Sequence, residues 1–362
     1  MDTMGVSKCG RAVVLTSVNL AERIKAAALR LNYEKCGLIR LSEMDEYADK
    51  VRQRLDRFSD GRPVLEPVLE AAGIRERFPW AKSVIICTRR YDNYKMPPTL
   101  NGRFSKYYLF DARRNQRARD YQDGLAFEQF LRDSSLRFAG GERGDLVMPG
   151  NRWAAMKAGL GVLRRNNFFY TENGSWLFLE SWLIDRELEL KEESKAKPCP
   201  KNCVKCLTAC PTNALPESYV FDLTSCVSYL TRRGGWDLTA DSRASSIGQW
   251  LYGCDVCQDV CPLNQRPWVG KDDFPGAAEL AVIAAPEDIV RMGYEDLKLE
   301  LFKRFWSIPE DKLWKWKINA LNAMKNDFDD QYRPAVEAAL NDEAEPVRHM
   351  ARWVLRSEGR QR

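Results

Sequence analysis

Apolar residues recur at helical spacing from Leu20 to Leu31, and Cys36-Gly37-Leu38-Ile39 then reads as a short buried strand. Ser83 to Cys87 (Ser-Val-Ile-Ile-Cys) predicts a second strand, and the apolar and aromatic run Ser175 to Leu183 a third. Between these, Phe127 to Phe138 reads as a helix. So does Trp153 to Leu163, which runs through Ala158-Gly159-Leu160-Gly161. Helices alternating with strands predict an α/β or α+β domain over roughly residues 10–195. A charged linker, Lys191 to Lys197, follows. From Pro286 onward the patterns are helical: Leu313 to Met324, Tyr332 to Leu340, a break at Asn341-Asp342, then Pro346 to Leu355. Two short antiparallel helices with an acidic turn between them suit one helical-repeat unit.

Between linker and helices the pattern is set by cysteine. One run is Cys199-x3-Cys203-x2-Cys206-x3-Cys210-Pro211; the other is Cys254-x2-Cys257-x3-Cys261-Pro262, with Cys226 upstream as its missing member. A four-iron cube needs four converging thiolates, and closely spaced loop cysteines supply three from one segment. In two-cluster ferredoxins the cysteine before proline ligates the other cluster. That rule assigns Cys199, Cys203, Cys206 and Cys261 to one [4Fe–4S] cluster, and Cys210, Cys226, Cys254 and Cys257 to the second. A pair of Cys₄ zinc sites is the alternative, although zinc has no need of a Cys-Pro closing each run. The x3 spacing after Cys199 departs from the usual x2. Cys36 and Cys87 lie in apolar contexts where a free cysteine acts as a small hydrophobe.

Composition narrows the setting. The chain is 44% hydrophobic and 30% charged, as in ordinary globular proteins, and no apolar stretch approaches the roughly 20 residues of a membrane span. No basic region precedes an apolar segment and cleavage site, so a cytoplasmic location is expected. In that compartment eleven cysteines point to metal or redox chemistry over disulfides. The net charge is only +5, but Arg103, Lys106, Arg113, Arg114, Arg117 and Arg119 crowd one segment, interleaved with Tyr107, Tyr108, Phe110 and Tyr121. That mixture suits either a surface gripping phosphates and bases or a charged helix with its aromatics turned inward. One histidine, His349, is too few for a hydrolytic triad or conventional catalytic zinc site. No P-loop, nucleophile elbow or glycine-rich dinucleotide fingerprint is present. By elimination, electrons come from a low-potential donor such as ferredoxin or flavodoxin.

The order of features resembles the epoxyqueuosine reductase family. The stretches that carry the resemblance are Ala158 to Gly161, Gly174-Ser175-Trp176-Leu177-Phe178-Leu179, Asp222 to Tyr229, Gly253 to Gln258 and Cys261-Pro262-Leu263-Asn264. Ile318-Asn319-Ala320-Leu321 and Pro346-Val347-Arg348 add to it at the C-terminus. The resemblance implies an α+β protein with three parts. An N-terminal α/β domain of the cobalamin-binding type occupies residues 1–195, a double-cluster ferredoxin-like domain 196–270, and a helical HEAT-like unit 271–362. It implies reduction of the epoxide of a modified base in tRNA, with two [4Fe–4S] clusters and cobalamin as cofactors. Counting back from Ala158 puts the family's proton-donating aspartate at Asp145, in a Gly-Asp dipeptide that also suits a plain turn.

This sequence departs from the family in two places. Pro149 stands one position late after Asp145, and Arg164-Arg165-Asn166-Asn167 replaces the usual Gly-Lys-Asn. Arg164, Arg165 and Asn166 are therefore candidate cofactor-binding residues, since paired arginines can clamp an anionic group; a surface pair is the alternative. Two other functions stay open: a corrinoid-free iron–sulfur electron-transfer protein, and an enzyme like the related reductive dehalogenases. The tRNA reading requires Arg103 to Arg119, Arg164, Arg165 and Arg348 to form one basic face.

Overall fold

The computed structural model describes residues 9–141, 148–265, 268 and 270–358. Its internal contacts divide the chain into two units. The first comprises Met1–Arg90, Arg119–Arg164 and Phe168–Cys199; the second comprises Tyr91–Ala118, Arg165–Asn167 and Pro200–Arg362. Residues 91–118 and 165–167, placed by sequence with the N-terminal domain, thus group with the cysteine-rich segment and the C-terminal helices.

The first unit is built on a four-stranded sheet in the order β1-β2-β6-β3, with β1 at Lys35–Arg40, β2 at Ser83–Arg90, β3 at Phe138–Gly140 and β6 at Leu177–Ile184. Every neighbour in it is antiparallel. The alternation of helix and strand therefore belongs to an α+β fold, without the parallel sheet of α/β proteins. Its central strands are apolar on both faces, because both are covered. Cys36, Leu38, Ile85, Cys87, Trp182 and Ile184 pack with the helices Cys9–Arg30 and Arg119–Asp133. Ile39, Val84, Ile86 and Leu183 pack on the other side with Ala154, Ala155 and Ala158. Period-two alternation sorts these residues.

Two predicted helices end earlier than their apolar patterns. The helix predicted to run from Phe127 to Phe138 spans Arg119–Asp133, and Phe138 opens β3 instead. Ser135 takes a left-handed backbone (φ 56°), which ends the helix while the apolar run continues into the strand. The helix predicted from Trp153 to Leu163 spans Asn151–Lys157. There the Leu160 N–H bonds the Ala155 carbonyl and the Gly159 N–H that of Met156, each at 3.0 Å, closing the helix with Gly159 left-handed at φ 72°. A Cβ on Gly159 would stand 1.7 Å from the Glu192 carbonyl oxygen, so glycine is required twice over. The chain then forms the β4–β5 ladder, Val162–Leu163 with Phe169–Tyr170.

The second unit consists of short turns packed on helices. Trp314–Asn326 is buried over almost its whole circumference, with Trp316, Ile318, Ala320, Leu321 and Met324 all at 1% exposure or less. It is followed by Arg333–Ala338 and by Glu345–Glu358, and the break falls at Asn341 and Asp342 as the sequence predicts. The aromatic residues of 91–118 turn inward: Phe104 packs on Phe305 and Trp316, and Phe110 on Trp268 and Phe274. Two basic residues of that segment are engaged locally, Lys106 with Asp255 and Asp259, and Arg113 with Asp111. The aromatics turn inward, but the segment forms the short turns Lys106–Leu109 and Ala112–Arg114 in place of one charged helix.

Candidate iron–sulfur centre

The cysteines sit on short helical turns. Cys206 lies in the turn Lys205–Thr208 and Cys257 in the turn Val256–Asp259, and these two turns pack together. Cys226 immediately precedes the turn Val227–Leu230. A turn this short leaves its first N–H groups without helical partners, and several meet sulfur. The Ala214 N–H donates to Cys210 Sγ at 3.2 Å. Burial raises the Cys226 thiol pKa, while N–H groups of Ser228 and Tyr229 oppose the rise. Burial pushes the Cys254 thiol well up, opposed by the Val256 N–H and reinforced by Cys226 and Cys210. Burial does the same at Cys257, with Cys254, Cys226, Cys210 and Cys206 adding to it. Cys206, Cys210, Cys226, Cys254 and Cys257 therefore lie near one another. N–H groups aimed at sulfur favour the thiolate that iron requires. Cys203 and the buried Cys261 lie in the same unit, and Cys199 is the last residue of the other.

Polar side chains hold the loops that carry these thiols. Asp255, next to Cys254 and 0% exposed, accepts from Ser105 Oγ at 2.6 Å and from the Lys106 N–H at 2.9 Å. Burial works against the Lys106 ammonium, but Asp255 and Asp259 raise its pKa nonetheless. Asn166 Nδ2 donates to the Cys257 carbonyl at 3.0 Å, and Asn264 Nδ2 to the Gln258 carbonyl at 3.1 Å. Arg165 donates to the carbonyls of Cys203 and Lys201. Asn166 and Arg165 therefore brace the two cysteine loops, one each. Arg164 differs: it is 3% exposed, its guanidinium lies 4.5 Å from the Tyr170 ring centre, and its Nε and Nη1 have no hydrogen-bond partner. Asp145 lies outside the described residues.

Other sequence candidates are engaged elsewhere. Arg348 donates to the Asp342 and Glu343 carbonyls, and His349 bonds Thr239 Oγ1 at 2.8 Å. Lys106, Arg113 and Arg165 are likewise committed to partners within their own unit. Cys36 and Cys87, opposite each other in β1 and β2 and both 0% exposed, are packing residues, as predicted. Ser105 was not singled out by sequence, Lys106 was read only as part of a basic segment, and Asp255 only as part of the Gly253 to Gln258 stretch. An acid between two ligand-spaced cysteines was the available signal.

Residues 199–264 match the family model of the 4Fe-4S double cluster binding domain. A relative from Gloeobacter violaceus, an epoxyqueuosine reductase, is 30% identical over 258 residues, covering 68% of this chain and 76% of its own. The chain belongs to the epoxyqueuosine reductase family. Its members are oxidoreductases. A family member from Cyclobacterium marinum is 25% identical over 81% of this chain and 92% of its own, whereas the match to one from Prochlorococcus marinus, at 31%, spans only 53% of that relative. The fold is also that of solved epoxyqueuosine reductases. A Bacillus subtilis structure, described with its aspartate catalytic loop swung out of the active site, aligns over 93% of this chain at TM-score 0.72 and 22% identity. Another, bound to an epoxyqueuosine-modified tRNA stem loop, aligns at TM-score 0.69 and 21% identity.

Proposed function

We propose that the chain reduces the epoxide of epoxyqueuosine in tRNA, taking electrons from a low-potential donor such as ferredoxin or flavodoxin through two [4Fe–4S] clusters and using cobalamin. The observation that carries this reading is the packing of the turn that bears Cys206 against the turn that bears Cys257, which brings the two cysteine runs together. It supports the crossed assignment, in which each cysteine run contributes one ligand to the other run's cluster. Cys203, Cys206, Cys261 and Cys199 would then hold the first cluster. When bound, the clusters supply one-electron transfer and cobalamin supplies low-potential chemistry at carbon–oxygen bonds. Net deoxygenation takes up two electrons and two protons, and the oxygen leaves as water.

The residues present suit these groups. Arg164 is a buried cation with two free donors, a fit for a phosphate of the corrinoid or of the substrate. The one histidine is bonded to Thr239 in the second unit, which suits a corrinoid bound without a histidine from the sheet unit. Asp145 is the proposed proton donor, a role supported by the aspartate catalytic loop in the description of the Bacillus subtilis relative. Arg165 and Asn166 hold the cluster loops. In this reading residues 1–195 bind cofactor and substrate, 196–270 the clusters, and 271–362 form a HEAT-like unit that assists tRNA binding in the cytoplasm.

The test is anaerobic purification, reconstitution with iron, sulfide and cobalamin, and metal analysis, followed by turnover of an epoxyqueuosine-modified stem loop read by mass spectrometry. About eight irons and one cobalt per chain, with loss of one oxygen from the RNA, is the expected result. Eight irons without retained cobalamin or RNA conversion would leave an electron-transfer protein in its place.

A further inference from the structure

Five large hydrophobic side chains are notably exposed among the described residues, and two of them, Val204 (48%) and Tyr219 (52%), belong to the cluster-binding segment. One arginine joins their loops. Arg165 donates to the carbonyls of Lys201 and Cys203, on the near side of Val204, and its own carbonyl accepts the Tyr219 N–H at 3.1 Å. Tyr219 adopts a left-handed backbone at φ 67°, a conformation that costs a bulky L-residue energy and persists only where the surroundings impose it. Here the strain holds an aromatic ring in solvent. Lys201 and Lys205 flank Val204, both exposed, and neither has an ion-pair partner among the described residues. Val204 and Lys205 occupy the two positions between Cys203 and Cys206. The surface next to the first-cluster thiols thus carries two exposed apolar side chains linked through Arg165, with Lys201 and Lys205 beside Val204 and the exposed Glu217 two residues before Tyr219.

We propose that Val204 and Tyr219, with Lys201 and Lys205, form the docking surface for a small acidic protein that carries one electron at low potential. The proposal rests on the reductase reading above and specifies where its electrons enter. A short-lived redox complex needs a small apolar contact to fix distance and complementary charge to speed encounter. Both are present beside Cys203 and Cys206, where the path from surface to sulfur is shortest in sequence. Each encounter oxidises the carrier by one electron and reduces a cluster by one. Two encounters supply the pair required to remove one epoxide oxygen as water.

The experiment compares the iron-loaded protein with its K201E/K205E variant, using an acidic flavodoxin as the probe. Binding of oxidised flavodoxin is measured by calorimetry at low and high salt, and cluster bleaching by flavodoxin hydroquinone or by dithionite is measured by stopped flow. Charge reversal should weaken flavodoxin binding and slow flavodoxin-driven bleaching by about tenfold at low salt, an effect fading as salt rises. Dithionite-driven bleaching and iron content should not change. The milder K201Q/K205Q and Y219S variants should show smaller losses in the same direction. Unchanged flavodoxin binding and bleaching in all three variants would overturn the proposal. So would a loss confined to affinity for a tRNA stem loop, which would make this a nucleic-acid surface. Failure to convert epoxyqueuosine with lysine-dependent flavodoxin binding intact would defeat the reductase reading alone.

Discussion

In the sheet unit, β2 is paired on both sides, with β1 and with β6, so its backbone groups are met by other backbone groups and its side chains are free to be apolar. The loops of the second unit lack such a ladder. Several of their buried carbonyls are met by side chains in addition to backbone N–H groups. Asn319 Nδ2 reaches the carbonyls of Thr231 and Leu251, Asn322 Nδ2 that of Ala244, Asn166 that of Cys257, and Lys315 Nζ that of Gly235. A thiol-bearing loop must stay irregular to point its sulfurs together, and irregular buried backbone is stable only when each polar group has a partner. The sheet unit should therefore depend chiefly on packing, and the cluster unit on individual polar anchors.

Five substitutions test that contrast, from the largest effect downward. Cys254→Ser should remove one cluster, lowering iron from about eight to about four per chain and abolishing turnover; full iron retention would refute the ligand assignment. Asp255→Ala leaves Lys106 with only its part-exposed partner Asp259, and should cost about 3–5 kcal/mol in chemical denaturation. Asn319→Leu keeps the volume but orphans two carbonyls, and about 2–3 kcal/mol should be lost. If it were neutral, polar anchoring would not be what holds this unit.

Lys315 sharpens the comparison through pH. Burial pushes its ammonium down to about 7, whereas in the unfolded chain it titrates near ~10.4. Between these values the unfolded chain holds a proton that the folded chain has shed, so stability rises with pH; below about 7 both hold it and the burial penalty is complete. Lys315→Met should therefore stabilise the protein by about 2 kcal/mol more at pH 6 than at pH 9 in urea unfolding. The smallest effect is expected in the sheet. Cys87→Ala removes one buried sulfur and should cost about 1 kcal/mol with iron content unchanged. Loss of iron there would mean that the sheet cysteines are more than packing residues.

The double-cluster domain was legible because cysteine spacing along a loop is what the domain's metal chemistry demands. The strands at Cys36, Ser83 and Ser175 were legible because both faces of the sheet are covered, which makes the runs continuously apolar. Helix ends were not. Past Asp133 and past Lys157 the apolar pattern continues, but left-handed Ser135 and Gly159 turn the chain toward a new strand. The settings of the two arginines were not legible for a related reason. Arg164 and Arg165 are adjacent and chemically identical, yet one is buried with free donors and the other is bonded to two carbonyls.

Sequence alone thus determined the iron–sulfur chemistry, the mixed fold and the helical C-terminal segment, each encoded in local spacing or periodicity. Tertiary structure decided the antiparallel pairing, the inward turn of the aromatic segment and the carboxylate beneath Cys254. Those depend on which residues distant in the chain come together to satisfy buried polar groups, and spacing along the chain does not carry that information.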